Sequence, residues 1–218
     1  MVEALYLMQS GKCCYCEERI PPTGHLKAVE HFQPKSVFKG LELEWTNLLL
    51  VCAQCNGAKS NKFPVVLTGD SAVETVVFLE KETDGFEPLL LDPSDPEDDD
   101  PEEHVTFEAD DRSDLWGFAY PRNGSRRGTF TLETVGLYKS YYLERRRSHS
   151  LYLDSIYRRF LDAYKDAHLT GRVEMLGSVY KELKNMTDET SEFASFSRKY
   201  LQEKRVEERF EKLIQDLK

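Results

Sequence analysis

The residue types and spacings that could do chemistry lie between positions 13 and 62. Cys13 and Cys16 form one Cys-x-x-Cys pair, and Cys52 and Cys55 form a second. Two such turns offer four soft thiolates at tetrahedral reach, the donor set that suits Zn2+. Four thiolates leave no open coordination position, so a zinc held this way is structural. The 35 residues between the pairs exceed the usual spacing of a zinc ribbon. Something folded must therefore sit between the knuckles. A redox dithiol would need one pair inside a thioredoxin-like βαβ unit, and no such unit is apparent. Cys14 is read as a packed or partly exposed thiol outside the ligand set.

Between the knuckles stand Glu30 and His31, followed by Pro34, and the second knuckle runs directly into Asn56 and Lys59. Hydrolysis of a phosphodiester near neutral pH needs a base for water, a cation on the developing oxyanions, and groups that hold both. His31 can be that base, because an imidazole titrates near the working pH. Glu30 offers a hard carboxylate oxygen and Asn56 an amide oxygen. Such a sparse oxygen set suits Mg2+ or Mn2+ that keeps several waters. Neighbouring residues on a strand point to opposite faces, so Glu30 and His31 share a site only where the strand twists or ends.

The elements that must carry these residues are short. The sequence predicts a helix over 2–9, a metal knuckle over 13–17, a loop over 21–24, and a strand over 28–32 closed by Pro34. Residues 43–50 read as partly extended and 53–61 as a short helix. Residues 73–79 have strand composition, 92–103 an exposed Pro- and Asp-rich loop, and 105–108 with 115–120 a hairpin. Everything after Thr131 reads as helical, with a break at Gly171, then helices over 172–186 and 189–216. The expected class is α+β: a zinc-pinned ββα core, a small β segment and a C-terminal helical region. The domain boundary falls near residue 68, giving 1–68 as a zinc-knuckle domain and 69–218 as an acidic β segment with a helical extension.

The 218 residues can bury a real core, and 40% hydrophobic with 31% charged residues fits a globular chain. No apolar run reaches membrane-spanning length, and the first ten residues do not read as a secretory leader. A cytoplasmic location follows, where thiols stay reduced and four paired cysteines favour metal over disulfides. The net charge of −10 is unevenly spread. Residues 1–62 carry seven Lys/Arg and six Asp/Glu, whereas residues 63–115 carry two and eighteen. The acidity is thus confined to the middle, and the flanks remain able to face a polyanion. The acidic stretch 92–103 reads equally as a spacer, a charge mimic or a docking surface. Arg122, Arg126, Arg127 and Lys139, Arg145, Arg146 and Arg147, with Tyr138, Tyr141 and Tyr142, could track a nucleic-acid backbone. Packed helical tyrosines are the commoner outcome.

The order Cys-x-x-Cys, Glu-His-x-x-Pro-x-Ser (30–36), Trp-x-Asn-Leu (45–48) and Cys-x-x-Cys-Asn-x-x-Lys (52–59) is similar to that of zinc-containing HNH endonucleases. The resemblance implies that His31 is the general base and that Asn47 braces its loop. It implies Asn56 with Glu30 as ligands of a catalytic Mg2+ or Mn2+, and Lys59 approaching phosphate from the helix. Asn56 stands where a second histidine is common, and Glu30 where Asp is usual. Cys-x-Tyr-Cys-Glu (13–17), Val-Glu-His-Phe-x-Pro-Lys-Ser (29–36), Leu-Leu-Leu-Asp-Pro (89–93) and Asp-Asp-Pro-Glu-Glu-His (99–104) further resemble the PtuB-like HNH subunits of Septu-type and retron-linked anti-phage systems. That resemblance implies cleavage of nucleic acid, DNA in the first place, beside an ABC-type (PtuA-like) ATPase, with no membrane partner. A ribonuclease on the same scaffold and a catalytically dead zinc-stabilised adaptor are the alternatives. His25, His104, His149 and His168 fall outside the motif.

Overall fold

Apolar stretches interrupted by proline, glycine and polar turns give this chain short strands early and amphipathic helices late. The computed structural model describes residues 1–23, 26–68, 75–95 and 100–217. Two compact units result: residues 1–106 with 119–139, and residues 107–118 with 140–218. The α+β class expected from the sequence is the class observed.

The first unit opens with α1 (Val2–Met8) and the knuckle turn at Cys13–Cys16. β1 (Lys27–His31) pairs antiparallel with β2 (Leu48–Cys52), with Val29 opposite Leu50 and His31 opposite Leu48. All five β2 residues are buried, and α2 (Ala53–Lys59) begins at the next residue. This β1–β2–α2 order is the expected ββα core. A single turn of 3-10 helix, Trp45–Asn47, leads into β2 where the sequence suggested partly extended chain.

The unit continues well beyond residue 68. β3 (Pro64–Leu67) pairs on one side with β4 (Thr75–Phe78) and on the other with β5 (Phe86–Pro88). The first two residues of the expected 73–79 strand lie outside the described residues, as does His25. Phe63 is fully buried and meets the rings of Phe32, Phe38 and Phe86 edge-on, at centroid distances of 5.4–6.2 Å. Two of these rings precede β2, and Phe86 lies in β5, so aromatic packing joins the ββα core to the following sheet. The boundary read near residue 68 thus falls inside one packed unit. The same unit takes in α3 (Pro101–His104), β6 (Val105–Phe107) through Thr106, β7 (Ala119–Pro121) and α4 (Arg126–Val135). Thr131 Oγ1 of α4 accepts the Leu91 N–H at 2.9 Å, and Arg127 donates to the Leu90 carbonyl at 3.2 Å. Segment 89–91 is fixed in this way, and its three leucines are buried.

The second unit is helical. α5 (Ser140–Thr170) buries Leu153, Ile156, Tyr157, Phe160, Ala163 and Ala167, a spacing that keeps one face inward. α6 (Glu174–Asn185) adds Leu176, Val179 and Leu183 to the same core. The single helix expected over 189–216 is two: α7 (Ala194–Glu203) and α8 (Val206–Asp216). Arg205 adopts a left-handed φ of 50° between them. That turn redirects the chain so that Val206 and Leu213 return to the core holding Phe196 and Tyr200. Of the basic and aromatic residues around 138–147, Tyr142 and Arg146 are buried, with Arg146 Nε donating to the Gly117 carbonyl at 2.6 Å.

His149 of α5 sits in this helical core beside Phe193 and Phe196. Ser197 Oγ donates to the Phe193 carbonyl at 3.1 Å, so the 2.8 Å bond to His149 Nε2 has the ring as donor. Burial lowers the imidazole pKa from 6.5 to about 4. The unfolded chain therefore takes up a proton first as pH falls. Stability should drop progressively from about pH 6.5 until the folded form also protonates near pH 4, a loss of roughly 3 kcal/mol. Urea denaturation at a series of pH values checks this, and His149→Gln should flatten the acid limb.

Candidate functional site

The first knuckle is tied to the second through one backbone position, Leu50. Cys14 N–H donates to the Leu50 carbonyl at 3.1 Å. The Gln9 side chain donates to that carbonyl at 2.9 Å and accepts the Leu50 N–H at 2.7 Å. An amide side chain thus acts as a short stretch of strand beside β2. The sequence reading passed over Gln9, because a glutamine after a short helix carries no signal of its own. Gly11, at φ 68°, lets the chain turn against Tyr6, whose ring atoms would lie 2.8 Å from an added Cβ. Cys52 ends β2 and caps α2, its sulfur accepting the Cys55 N–H at 3.4 Å.

All four sulfurs, Cys13, Cys16, Cys52 and Cys55, lie within 4.8 Å of one another and are buried. Cys16 and Cys52 sulfurs are 3.8 Å apart. A tetrahedron with Zn–S bonds of about 2.3 Å has edges of about 3.8 Å, whereas a disulfide needs about 2.05 Å. The cluster therefore fits one Zn2+ in both donor chemistry and size. Burial raises the Cys13 thiol, but bonds from Cys14, Cys16, Cys52 and Cys55 outweigh it and hold Cys13 well below the ordinary range. Cys16 is pushed well up, first by its bond to Cys13. Cys14 stays outside the cluster as expected, half-buried as a residue, its thiol raised chiefly by burial.

At the end of β1 the two neighbouring residues part. Glu30 turns inward and is buried, while the His31 ring lies toward solvent. His31 Nε2 is 3.0 Å from the Glu42 carbonyl. A carbonyl only accepts, so this bond places the hydrogen on Nε2 and leaves the Nδ1 lone pair free in the neutral ring. Asn47 is buried and staples the intervening loop at both ends. It accepts the Gln33 N–H at 2.7 Å and donates to the Gln33 and Leu41 carbonyls at 3.0 and 3.1 Å. Leu41 adjoins Glu42, so the carbonyl that holds the imidazole belongs to a loop that Asn47 holds.

Lys59 lies elsewhere than the sequence expected. Its side chain is 0% exposed, and Nζ donates to Glu30 Oε1 at 2.6 Å and to the His31 carbonyl at 2.9 Å. Burial raises the Glu30 carboxyl and lowers the Lys59 ammonium, and each charge partly offsets the other's shift. An approach of Lys59 to phosphate from the helix surface is therefore corrected: the ammonium is spent inside the domain. Glu30, expected as a metal ligand, has one oxygen on Lys59. Asn56 lies half-buried on α2, one residue past Cys55. Among the described residues the buried Tyr15 hydroxyl has no partner, and its pKa is pushed well up by burial first and then by the neighbouring acidic groups of Cys14, Glu30 and Asp92. Asp92 is the first residue of the acidic stretch. It accepts from Ser94 N–H and Oγ at 2.9 and 2.6 Å, with Ser94 Oγ 3.4 Å from the Thr46 carbonyl. The start of that stretch thus lies beside the turn bearing Asn47. Residues 96–99 of the expected loop lie outside the described residues.

A ββα unit with a four-cysteine clamp and an outward histidine at its strand end defines the class. Residues 13–62 match the family of HNH endonucleases, so this segment is an HNH endonuclease domain. Over 67 residues, 29% of the chain, the sequence is 42% identical to Septu protein PtuB of Bacillus thuringiensis, covering 26% of that protein. Over 149 residues, 63% of the chain, it is 30% identical to Septu protein PtuA of Bacillus mycoides (strain KBAB4), covering 19% of it. The chain thus spans about a quarter and about a fifth of these two relatives. The resemblance read from the motifs is borne out over the domain. No solved structure matches the chain. Among the described residues no helix is long and apolar enough to cross a membrane.

Removing one sulfur should release the zinc and the fold together, because binding free energy at such a site is folding free energy. Cys52→Ser also weakens the cap of α2. The variant should be insoluble or molten, while the wild type should carry one zinc per chain by elemental analysis.

Proposed function

We propose that this protein is a metal-dependent endonuclease acting on DNA, working with a PtuA-like ABC-type ATPase in anti-phage defence. The observation that carries the catalytic part is the His31 ring: outward, held at Nε2 by the Glu42 carbonyl, with Nδ1 free to take a proton from the attacking water. Asn47 keeps the loop bearing that carbonyl in place. Asn56 would offer its amide oxygen to Mg2+ or Mn2+, while Glu30, expected as a second ligand, is drawn inward to Lys59 on the side of β1 away from the His31 ring and is not counted as one. When bound, the ion would offset charge developing on the phosphate oxygens. A zinc held by the four cysteines would supply shape alone, since four thiolates fill the coordination sphere.

The partner follows from charge and kinship. Affinity for duplex DNA comes largely from cations set against phosphates. The nuclease segment is close to neutral, and Lys59, one of its seven Lys/Arg, is buried in an ion pair. The acidic stretch 63–115 opposes long-range attraction further. Other cationic surface must then bring DNA to the site. Similarity to proteins named Septu PtuB and PtuA nominates the PtuA-like ATPase as its source. A cytoplasmic site of action goes with this role.

Purified protein with Mn2+ should nick supercoiled plasmid, and His31→Ala should slow nicking by about two to four orders of magnitude while leaving the melting temperature nearly unchanged. Asn56→Ala should instead raise the metal concentration needed. A fully active His31→Ala protein would show the base to be misassigned. Equal or faster cleavage of RNA in the same assay would move the substrate to RNA, and absence of cleavage would leave a binding adaptor. The isolated chain should bind DNA weakly and with steep salt dependence, and co-purification with the PtuA-like ATPase should increase cleavage. Tight DNA binding by the isolated chain at physiological salt would remove the need for that partner.

A further inference from the structure

Lys59 carries a charge into the interior of a domain that faces a polyanion, where an exposed lysine would be of more obvious use. A buried ammonium persists only when paired and hydrogen-bonded. Both conditions are met here by two neighbouring residues of one strand: the Glu30 carboxylate at 2.6 Å and the His31 carbonyl at 2.9 Å. On the nuclease reading above, we propose that Lys59 is a positioning residue for His31, clamping the end of β1 from behind through the His31 carbonyl and the Glu30 carboxylate.

The helix explains how the clamp is aimed. Cys55 and Lys59 are four residues apart, so they lie on one face of α2, and both are fully buried. Cys55 joins the sulfur cluster, which fixes the start of the helix. One turn later the same face delivers the ammonium to the strand end. A zinc held by that cluster would thus place α2, α2 places Lys59, and Lys59 holds the strand residue that bears the imidazole. Asn56 is one step round the helix from Cys55 and stays half-buried.

The strand explains why holding Glu30 matters to His31. Side chains alternate along β1, so a Glu30 drawn inward sends the His31 ring outward. His31 is the last residue of β1, opposite Leu48, and the next amide, that of Phe32, turns to the Asn47 carbonyl at 3.0 Å. Rotation of the strand end is therefore resisted on three sides. Lys59 holds the main chain, Asn47 holds the loop, and the Glu42 carbonyl holds the ring.

The test follows the His31 ring and the kinetics in parallel. Ring 15N signals of histidine-labelled protein, assigned with His31→Ala, report whether Nε2 keeps its hydrogen and its bond to Glu42. In Lys59→Met these signals should shift and broaden. The turnover number on plasmid should fall at least about tenfold, as displacement of a positioned catalytic group does, with KM changed less than about twofold. Should Lys59→Met fail to fold, Glu30→Gln/Lys59→Met removes both charges and is compared with Glu30→Gln alone. The double variant should melt no lower than the single one, yet still show the altered ring signals and the lower turnover.

Ring signals unchanged by loss of Lys59, in either background, would overturn the proposal. So would a raised KM with a salt dependence of binding reduced by about one charge, which marks a phosphate contact. Recovery of turnover in the double variant to the Glu30→Gln level would reduce the pair to charge balance, also against it. If the wild type nicks nothing, the nuclease reading fails by itself, and the ring signals still decide whether Lys59 sets the imidazole.

Discussion

Crowding the thiols of Cys13, Cys16, Cys52 and Cys55 to within 4.8 Å of one another puts mutually repelling acids in a buried space. Hydrogen bonds among the sulfurs hold the Cys13 thiol below its ordinary range against burial and push the Cys16 thiol above it. A divalent cation bound there would offset that repulsion and tie together two chain segments that are far apart in sequence. Most of what matters for chemistry hangs from this tie. β2 runs into α2 at Cys52, the first knuckle leans on Leu50, and β1 reaches its register against β2 between them.

The next dependence is electrostatic. A buried ion pair is an expensive way to stabilise a fold, since both partners lose their hydration and apolar packing could fill the same space. Its use here is directional. The Glu30–Lys59 pair fixes which side of β1 faces inward, and the alternation of side chains then fixes where His31 looks. The Asn47 bonds do for the loop what the ion pair does for the strand. An imidazole supported in this way keeps one tautomer and one orientation without being buried.

Beyond the HNH segment the first unit recruits later parts of the chain. Phe86 packs into the ring cluster around Phe63, and α4 holds segment 89–91 by Thr131 and Arg127. Asp92 and Ser94 then rest against the turn of Thr46 and Asn47. The front of the acidic stretch is thereby brought to the rim of the domain. Residues 1–62, with seven Lys/Arg against six Asp/Glu, are close to neutral, so they carry little excess positive charge to set against a polyanion.

The sequence by itself determined the local chemistry. Cys-x-x-Cys spacing brings two sulfurs to one point through a single turn, whatever lies around it, and Glu-His followed by Pro34 marks a strand end. The ββα order, the helical second half and the HNH class were legible for the same reason: each depends on residues within a few positions of one another, or on a motif order that few other folds use. What only the tertiary structure decided are pairings between residues distant in sequence. Lys59 looked like a surface cation because nothing near it in sequence shows that Glu30, 29 residues away, waits in the interior. Gln9 bonds to Leu50 across 41 residues, and Phe63 draws the chain past residue 68 into the first core. Local sequence carries the backbone's short-range preferences, but the burial of a charge or a ring is settled by the partner that packing brings to it.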